Sequence, residues 1–477
     1  MTRKLLPVAV VLVALAAGCA PRSREALRFT ELVRVYRDCK DSVVSFSATR
    51  VETTDAAKRT RVTHTQWGSG CILTESGYIL SNSHMLRFEG DRRATLANGS
   101  SCPVRTIADD PIHDLALLKI DAGRPLKPLK LGQSSKVMVG EPVVTIGNPF
   151  GISFTMASGI VSGIERGTNT EYAHLTDMVQ TDASINPGSS GGPLINILGE
   201  AIALCTSNKK DAENIGFAIP IDKARALFPD MVAPEARYRF VLGLEVATNG
   251  PAAVTGVAKD SPAEAAGARV GDIVAAVGSE PVRRGIDFYL ALIGRKGGEA
   301  LSLKLLRKGK PIETTATLRE VPLRPADKVA GLVGGLDYKH YHGRWETLPD
   351  FDKLKPTASG TVATFSLDKY EGRDAFAMKY TGYVEAPADG VYAFYVRSDD
   401  GSRLWIGDQL VVDNDGLHPS EERRGFVPLQ AGKHAITVAF FEAGGEDELK
   451  VSYEGPGVKR QEIPAAALSR PTGEGKP

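Results

Sequence analysis

The stretch NPGSSGGPL, Asn186 to Leu194, is the strongest constraint on this chain: five of its nine residues are glycine or proline, so the backbone must turn tightly there. Two adjacent serines, Ser189 and Ser190, lie inside that turn. Asn, Ser, Gly and Pro equally make an ordinary polar turn, and a serine hydroxyl does no chemistry without a base. A catalytic reading therefore requires a histidine and an acid that the fold can bring to the turn.

Four of the eight histidines, His64, His84, His113 and His174, precede the serine pair. The setting of His84 differs from the others. GSGCILTESGYILSNSHML holds two short strand-like runs, Cys71 to Thr74 and Tyr78 to Ser81, joined by a turn at Ser76 and Gly77, and His84 follows the second. In DPIHDLALLKID, Asp114 opens an apolar run from Leu115 to Ile120 that reads as a largely buried strand. A carboxylate entering such a strand needs a partner, and an imidazole hydrogen-bonded to it would serve.

A chain of 477 residues exceeds what one hydrophobic core serves, so two to four domains are expected. With 58 basic and 57 acidic residues, the charge balance gives no sign of nucleic-acid binding. The opening MTRKLLPVAVVLVALAAGCA has Arg3 and Lys4, an apolar run from Leu5 to Ala17, and small residues before Cys19, the pattern of an export signal over residues 1–18. The run is shorter than the roughly 18–20 residues of a spanning helix. Export would leave Cys39, Cys71, Cys102 and Cys205 where disulfides persist, as two bridges, one, or buried free thiols. They contain no CxxC, which disfavours zinc.

SNSHML, HDLALLKI, IGNPFG, QTDASINPGSSGGPL and IGFAIP, in that order, resemble the chymotrypsin-like serine proteases and within them the HtrA/Deg branch. The resemblance spans about Asp41 to Phe228 and implies a double β-barrel, in a chain expected to be mainly β. It makes Ser190, followed by Gly-Gly-Pro, the nucleophile, with His84 as base and Asp114 orienting it; Ser189 stands where the branch often has Asn. The N–H groups of Gly188 and Ser190 would form the oxyanion hole, and no cofactor is needed for catalysis. Ser184, six residues before the nucleophile, and Ile185 would line the specificity pocket. No acid stands there, which disfavours cleavage after Lys or Arg; the resemblance implies small aliphatic residues. LAAGC resembles a lipoprotein signal, with Ala16 where that motif more often has Leu, and implies lipidation at Cys19. Residues 19–40, including FTELVRVYRDC, are expected to serve oligomerisation, as a homotrimer in this family.

Residues 238–322 resemble a PDZ domain (α+β). Ser261 with Pro262 signals a helix start and Gly267 a stop, and GIDFYLALI reads as a second helix. Val241, Leu242, Gly243 and Leu244 match the loop that captures a C-terminal carboxylate in such domains, although the domain could equally pack on the protease without binding peptides. After a linker at 323–334, residues 335–470 alternate strand-like runs with Gly and Asp turns, the pattern of a β-sandwich. This part resembles the protective-antigen-fourteen (PA-fourteen) sandwich. Asp399 and Asp400 match the paired aspartates that hold Ca²⁺ against a sugar in its carbohydrate-binding members, but the completing Asn has no clear counterpart. SDDGS would equally make a hairpin turn, and a structural or protein-docking sandwich is the other reading. The reading as a whole is an exported, lipid-anchored serine endopeptidase of the bacterial envelope that cuts unfolded proteins. The alternative is a non-catalytic scaffold or glycan-binding adhesin.

Overall fold

The computed structural model describes residues 28–55, 60–88, 90–148, 154–169, 174–208, 213–368, 374–445 and 447–472. The expected export signal, Cys19 and Pro149 to Gly151 of the IGNPFG motif lie outside the described residues. The chain divides into two compact units, Met1–Ala224 and Arg225–Pro477.

Two seven-stranded sheets build the first unit. The first holds β1 (Val43–Asp55), β2 (Thr60–Ile72), β3 (Tyr78–Ser81), β4 (Asp91–Thr95), β5 (Ser101–Pro103), β6 (Arg105–Asp110) and β7 (Leu115–Lys119), in the order β5-β4-β1-β2-β3-β7-β6. The second holds β8 (Lys130–Leu131), β9 (Pro142–Gly147), β10 (Thr155–Asn169), β11 (His174–Thr181), β12 (Pro193–Asn196), β13 (Glu200–Asn208) and β14 (Gly216–Pro220). Its order is β12-β9-β10-β11-β14-β13-β8, and an added β12–β13 pairing closes it into a barrel, while the first sheet stays a half-barrel. Each sheet curls around its own core: Val44, Phe46, Ile72, Ile79 and Leu118 fill the first, and Val143, Val161, Leu194 and Ile202 the second. This is the chymotrypsin-like architecture, with side chains from alternate strand positions filling each interior.

The segment FTELVRVYRDC forms the helix Glu31–Cys39, started by the Thr30 hydroxyl, which accepts from the Val33 N–H. Val35 and Cys39 are its buried residues, and Arg34 donates to the Ile197 carbonyl oxygen at 2.8 Å. Cys39, Cys71, Cys102 and Cys205 are all free and buried, which selects free thiols among the three options. Burial pushes the Cys205 thiol up to about 12 and that of Cys71 well above its ordinary value, so neither reacts as a thiolate.

In the second unit, the strand Leu244–Val246 pairs with Val254–Val257, and Ile273–Val277 with Ala300–Arg307, which pairs in turn with Lys310–Thr317. Ser261 caps the helix Pro262–Ala265 by accepting from the Glu264 N–H at 3.2 Å, and Gly267 follows at φ +81°, as its sequence signals require. The second helix is Gly285–Ala291. Further along, an eight-stranded and a four-stranded sheet form the sandwich, closed over Tyr380, Tyr392, Phe394, Val438 and Phe440.

Asp272 is the one fully buried acid of the PDZ region, 1% exposed, and Arg307 grips it with Nε and Nη2, each at 2.8 Å. That grip holds its carboxyl below the ordinary range. Asp272→Ala is expected to destabilise this region by about 1 kcal/mol, because the Arg269 N–H, which donates to Asp272 at 2.9 Å, loses its acceptor. A depressed carboxyl contributes stability above its unfolded value, so the parent should lose this increment as pH falls below 3.8, and the variant should not. Urea unfolding read by amide exchange in the strand Ile273–Val277 tests both.

Candidate active site

Register brings the first two candidate residues together. β3 and β7 pair antiparallel with Ser81 opposite Ala116, so the residues leaving β3 and those entering β7 meet at one end of the sheet. His84 stands in the turn Ser83–Leu86 after β3, and Asp114 directly precedes β7. The imidazole Nδ1 lies 3.0 and 2.9 Å from the two Asp114 carboxylate oxygens, and the His84 backbone N–H donates to Oδ1 at 2.9 Å. Asn82 Nδ2 donates to the Asp114 carbonyl oxygen at 2.8 Å, fixing the backbone of that turn. The side chains are 11% and 4% exposed, so this ion-pairing geometry is nearly shielded from water.

Ser190 comes from the other sheet, in the turn before β12, and Thr206 of β13 ties it to the pair. The Thr206 hydroxyl donates to Asp114 Oδ2 at 2.5 Å, while its carbonyl oxygen accepts the Ser190 hydroxyl at 3.0 Å. One residue thus touches the acid through its side chain and the serine through its backbone. Ser189 is only 5% exposed, and its backbone N–H donates to the Asn186 carbonyl at 2.8 Å within the turn.

The turn is held in shape by Ser69 of β2. Its N–H donates to the Ser190 carbonyl at 2.8 Å and its hydroxyl to the Gly188 carbonyl at 2.7 Å. Gly191, at φ +80°, must be glycine, because a Cβ would lie 2.3 Å from both the Ser69 carbonyl oxygen and the Ser81 hydroxyl. Cys205 completes the frame by accepting from Gly191 N–H and donating to the Gly192 carbonyl, each at 2.8 Å. Among the described residues the N–H groups of Gly188 and Ser190 have no acceptor, so both remain available to an incoming oxygen. Gly188 has φ +104°. Ser184 is exposed, whereas Ile185 is buried in the core of the second barrel with Val161 and Val179.

Thr206 and Ser69 escape a reading of the sequence. EAIALCTSN reads as an ordinary strand, and only the small-residue run GSG marks the close approach at Ser69.

The other candidate residues lie in the second unit. Val241 ends the strand Phe240–Val241, Leu242 is fully buried, Gly243 adopts φ +78°, and Leu244 begins the next strand. Asp399 and Asp400 gain a third carboxylate from Glu442, with ligand oxygens all within 4.8 Å of one another. Asp400 accepts from the N–H groups of His418 at 3.3 Å and Ala443 at 3.0 Å, and Asp399 from that of Ser420 at 3.0 Å. Glu442 is 1% exposed, and its Oε2 has no hydrogen-bond partner among the described residues. Burial, then the charges of Asp400 and Asp399, push its carboxyl up to about 7. An all-oxygen donor set with a stranded buried carboxylate oxygen fits a hard cation such as Ca²⁺.

Three family models match the chain: a trypsin-like peptidase domain at residues 68–204, a PDZ domain at 245–307 and a PA14 domain at 346–467. A probable periplasmic serine endoprotease DegP-like of Chlamydia trachomatis is 35% identical over 272 residues, 54% of this chain and 54% of that protein. Protease Do-like 1, chloroplastic, of Arabidopsis thaliana is 31% identical over 280 residues, 54% of this chain and 64% of that protein. The chain thus spans between half and two thirds of the length of these relatives. Among solved structures, the HtrA-type protease AlgW with decapeptide is 26% identical, covering 61% of this chain and 99% of its own, with a TM-score of 0.40. The serine endoprotease from Yersinia pestis is 29% identical, covering 61% of this chain and 99% of its own, with a TM-score of 0.36. The chain therefore carries a trypsin-like peptidase, a PDZ and a PA14 domain in series, and over about half its length it is similar to the DegP-like serine endoproteases.

Proposed function

We propose that this chain is a serine endopeptidase that cuts exposed segments of unfolded proteins by acyl-enzyme chemistry. The observation that carries the reading is the Asp114–His84 pair, joined to Ser190 through Thr206. His84 Nε2 takes the Ser190 proton as Oγ attacks the peptide carbonyl, and then returns it to the leaving amine; water repeats the sequence to release the acyl group. Asp114 stabilises the imidazolium without taking its proton. The Gly188 and Ser190 N–H groups hold the oxyanion, each worth about 3–4 kcal/mol of barrier in related sites. A hydroxyl has one proton, so the Ser190 bond to Thr206 must open before the proton can pass to His84.

The remaining roles follow from resemblance. Ser184 and Ile185, neither of them an acid, favour cleavage after small aliphatic residues rather than after Lys or Arg. The PDZ loop Val241–Leu244 takes peptide C-termini. The relatives' names include a periplasmic location, which with the opening segment supports an envelope protein lipid-anchored at Cys19, and the helix Glu31–Cys39 supplies a trimer contact.

A second site rests on its own observation, the stranded Glu442 oxygen. Asp399, Asp400 and Glu442 would hold Ca²⁺, which, when bound, offers open coordination to sugar hydroxyls. Asp400 and Arg344 line a cleft of about 760 Å³ suited to such a ligand.

The primary test compares the chain lacking residues 1–19 with its Ser190→Ala form on an unfolded protein, with peptides mapped by mass spectrometry. Cleavage by the parent alone, after small aliphatic residues, is the expected outcome; equal behaviour of the two points to the scaffold or adhesin instead. Thr206→Val keeps the carbonyl but removes the donor to Asp114, and is expected to lower kcat about ten- to a hundredfold with little change in KM. For the cation, Ca²⁺ should raise the melting temperature of the parent and chelator reverse it, whereas Glu442→Gln should weaken Ca²⁺ binding at least about tenfold by calorimetry, since a charged ligand is lost.

A further inference from the structure

A groove of about 480 Å³ in the second unit runs along the strand Leu244–Val246 and the helix Gly285–Ala291, with Phe288, Tyr289 and Leu292 among its lining. The strand pairs on one side only, with Val254–Val257. The Gly243 carbonyl accepts from Ala258 and the Ala247 N–H donates to Ala253, so alternate residues face that partner. By the two-residue period, the backbone groups of Leu244 and Val246 face the groove, where an added peptide strand would pair.

Those positions already have partners within the chain. The Tyr289 hydroxyl donates to the Val246 carbonyl at 2.9 Å and accepts from the Val246 N–H at 3.2 Å, so both ladder groups of that residue are in use. At the loop, the Glu235 carboxylate accepts from the Gly243 N–H at 3.1 Å and also from that of Leu242. A Cβ on Gly243 would lie 2.4 Å from the Ser261 Cβ, so the loop packs too closely there for any residue but glycine. Burial penalises the Glu235 charge, and the two N–H bonds and Arg319 oppose that penalty.

Glu235 belongs to the short helix Pro234–Tyr238, flanked by Ala233 at φ +40° and Arg239 at φ +58°. Non-glycine residues in that region cost about 1 kcal/mol or more each, so the segment is held there against local preference. Its other side is anchored on the sandwich: the Arg237 guanidinium lies 4.7 Å from the Phe426 ring centre, and Arg424 donates to the Asp230 and Met231 carbonyls at 3.0 and 2.9 Å.

We propose that the chain caps its own peptide groove: Glu235 stands in for a C-terminal carboxylate at Leu242 and Gly243, and Tyr289 for a peptide backbone at Val246. A partner ending in a free carboxylate and an apolar side chain binds by displacing both. The inference rests on the reading that this groove takes peptide C-termini. Its thermodynamic consequence is that apparent affinity falls by the fraction of molecules whose groove is open.

The test measures fluorescence anisotropy of a labelled heptapeptide, Gly-Ser-Gly-Ala-Ala-Val-Leu, with a free carboxylate or a C-terminal amide, against the full chain. Glu235→Ala should bind the free-carboxylate probe at least about tenfold more tightly than the parent, Glu235→Gln should fall between, and none should bind the amide well. Tyr289→Phe should add to the Glu235→Ala gain. A loosened fold would instead bind both probes alike, which overturns the proposal. Equal affinity of parent and Glu235→Ala for the carboxylate probe also overturns it and leaves peptide binding standing. Binding by no variant overturns the peptide reading itself, and this inference with it.

Discussion

A single buried carboxylate organises the first unit. Asp114 accepts from the His84 N–H, the His84 ring and the Thr206 hydroxyl, and the first two donors come from one sheet and the third from the other. A carboxylate at 3% exposure is costly to bury unless its oxygens are hydrogen-bonded. Its φ of +54° is unusual for a residue with a Cβ and adds a local cost of about 1–3 kcal/mol. The donors offset both costs only when the two sheets are correctly joined. The assembled site therefore requires both sheets.

Ser69 plays the complementary part for the serine turn. Its backbone and side chain each fix one carbonyl of the turn, at Ser190 and at Gly188. With those carbonyls tied to Ser69, the turn has its acceptors paired within the chain. Buried hydroxyls are ordinarily satisfied, and here the satisfaction holds the turn in shape.

How legible these features are in the sequence depends on how local their cause is. His84 and Asp114 are readable because each sits at the end of a strand marked by its own apolar run, and Ser190 because glycine and proline crowd its turn. The PDZ helices are readable from Ser261 and Gly267, which act within a few residues of themselves. The sandwich, too, follows from alternation and turns. Thr206, Ser69 and Glu442 are different. Each lies in a strand whose residues look ordinary, and each acquires its role from a register set far along the chain, such as Glu442 opposite Phe376 in the sandwich. Ile185, read by its distance from the nucleophile, packs with the barrel core, while Ser184 is exposed. A spacing rule carries a backbone position, and the direction of the side chain depends on the neighbouring strands.

Two sites in the molecule share one physical feature. At Ser190 the free hydroxyl is satisfied by a carbonyl of its own chain, and at Leu242 and Gly243 the loop N–H groups are satisfied by a carboxylate of its own chain. In each place a polar group that a ligand would need is shielded from most solvent, and leaving it unmatched would cost about 1–3 kcal/mol. An internal partner removes that cost in the absence of ligand. The ligand then competes with an intramolecular bond rather than with water, so it gains only the difference between its own bonds and those it breaks. For the serine the competitor is a neutral carbonyl, which a small rotation of the hydroxyl releases. For the loop it is a charged group on a segment anchored to another domain, so release requires a larger displacement, and whatever shifts that segment changes how readily the groove opens.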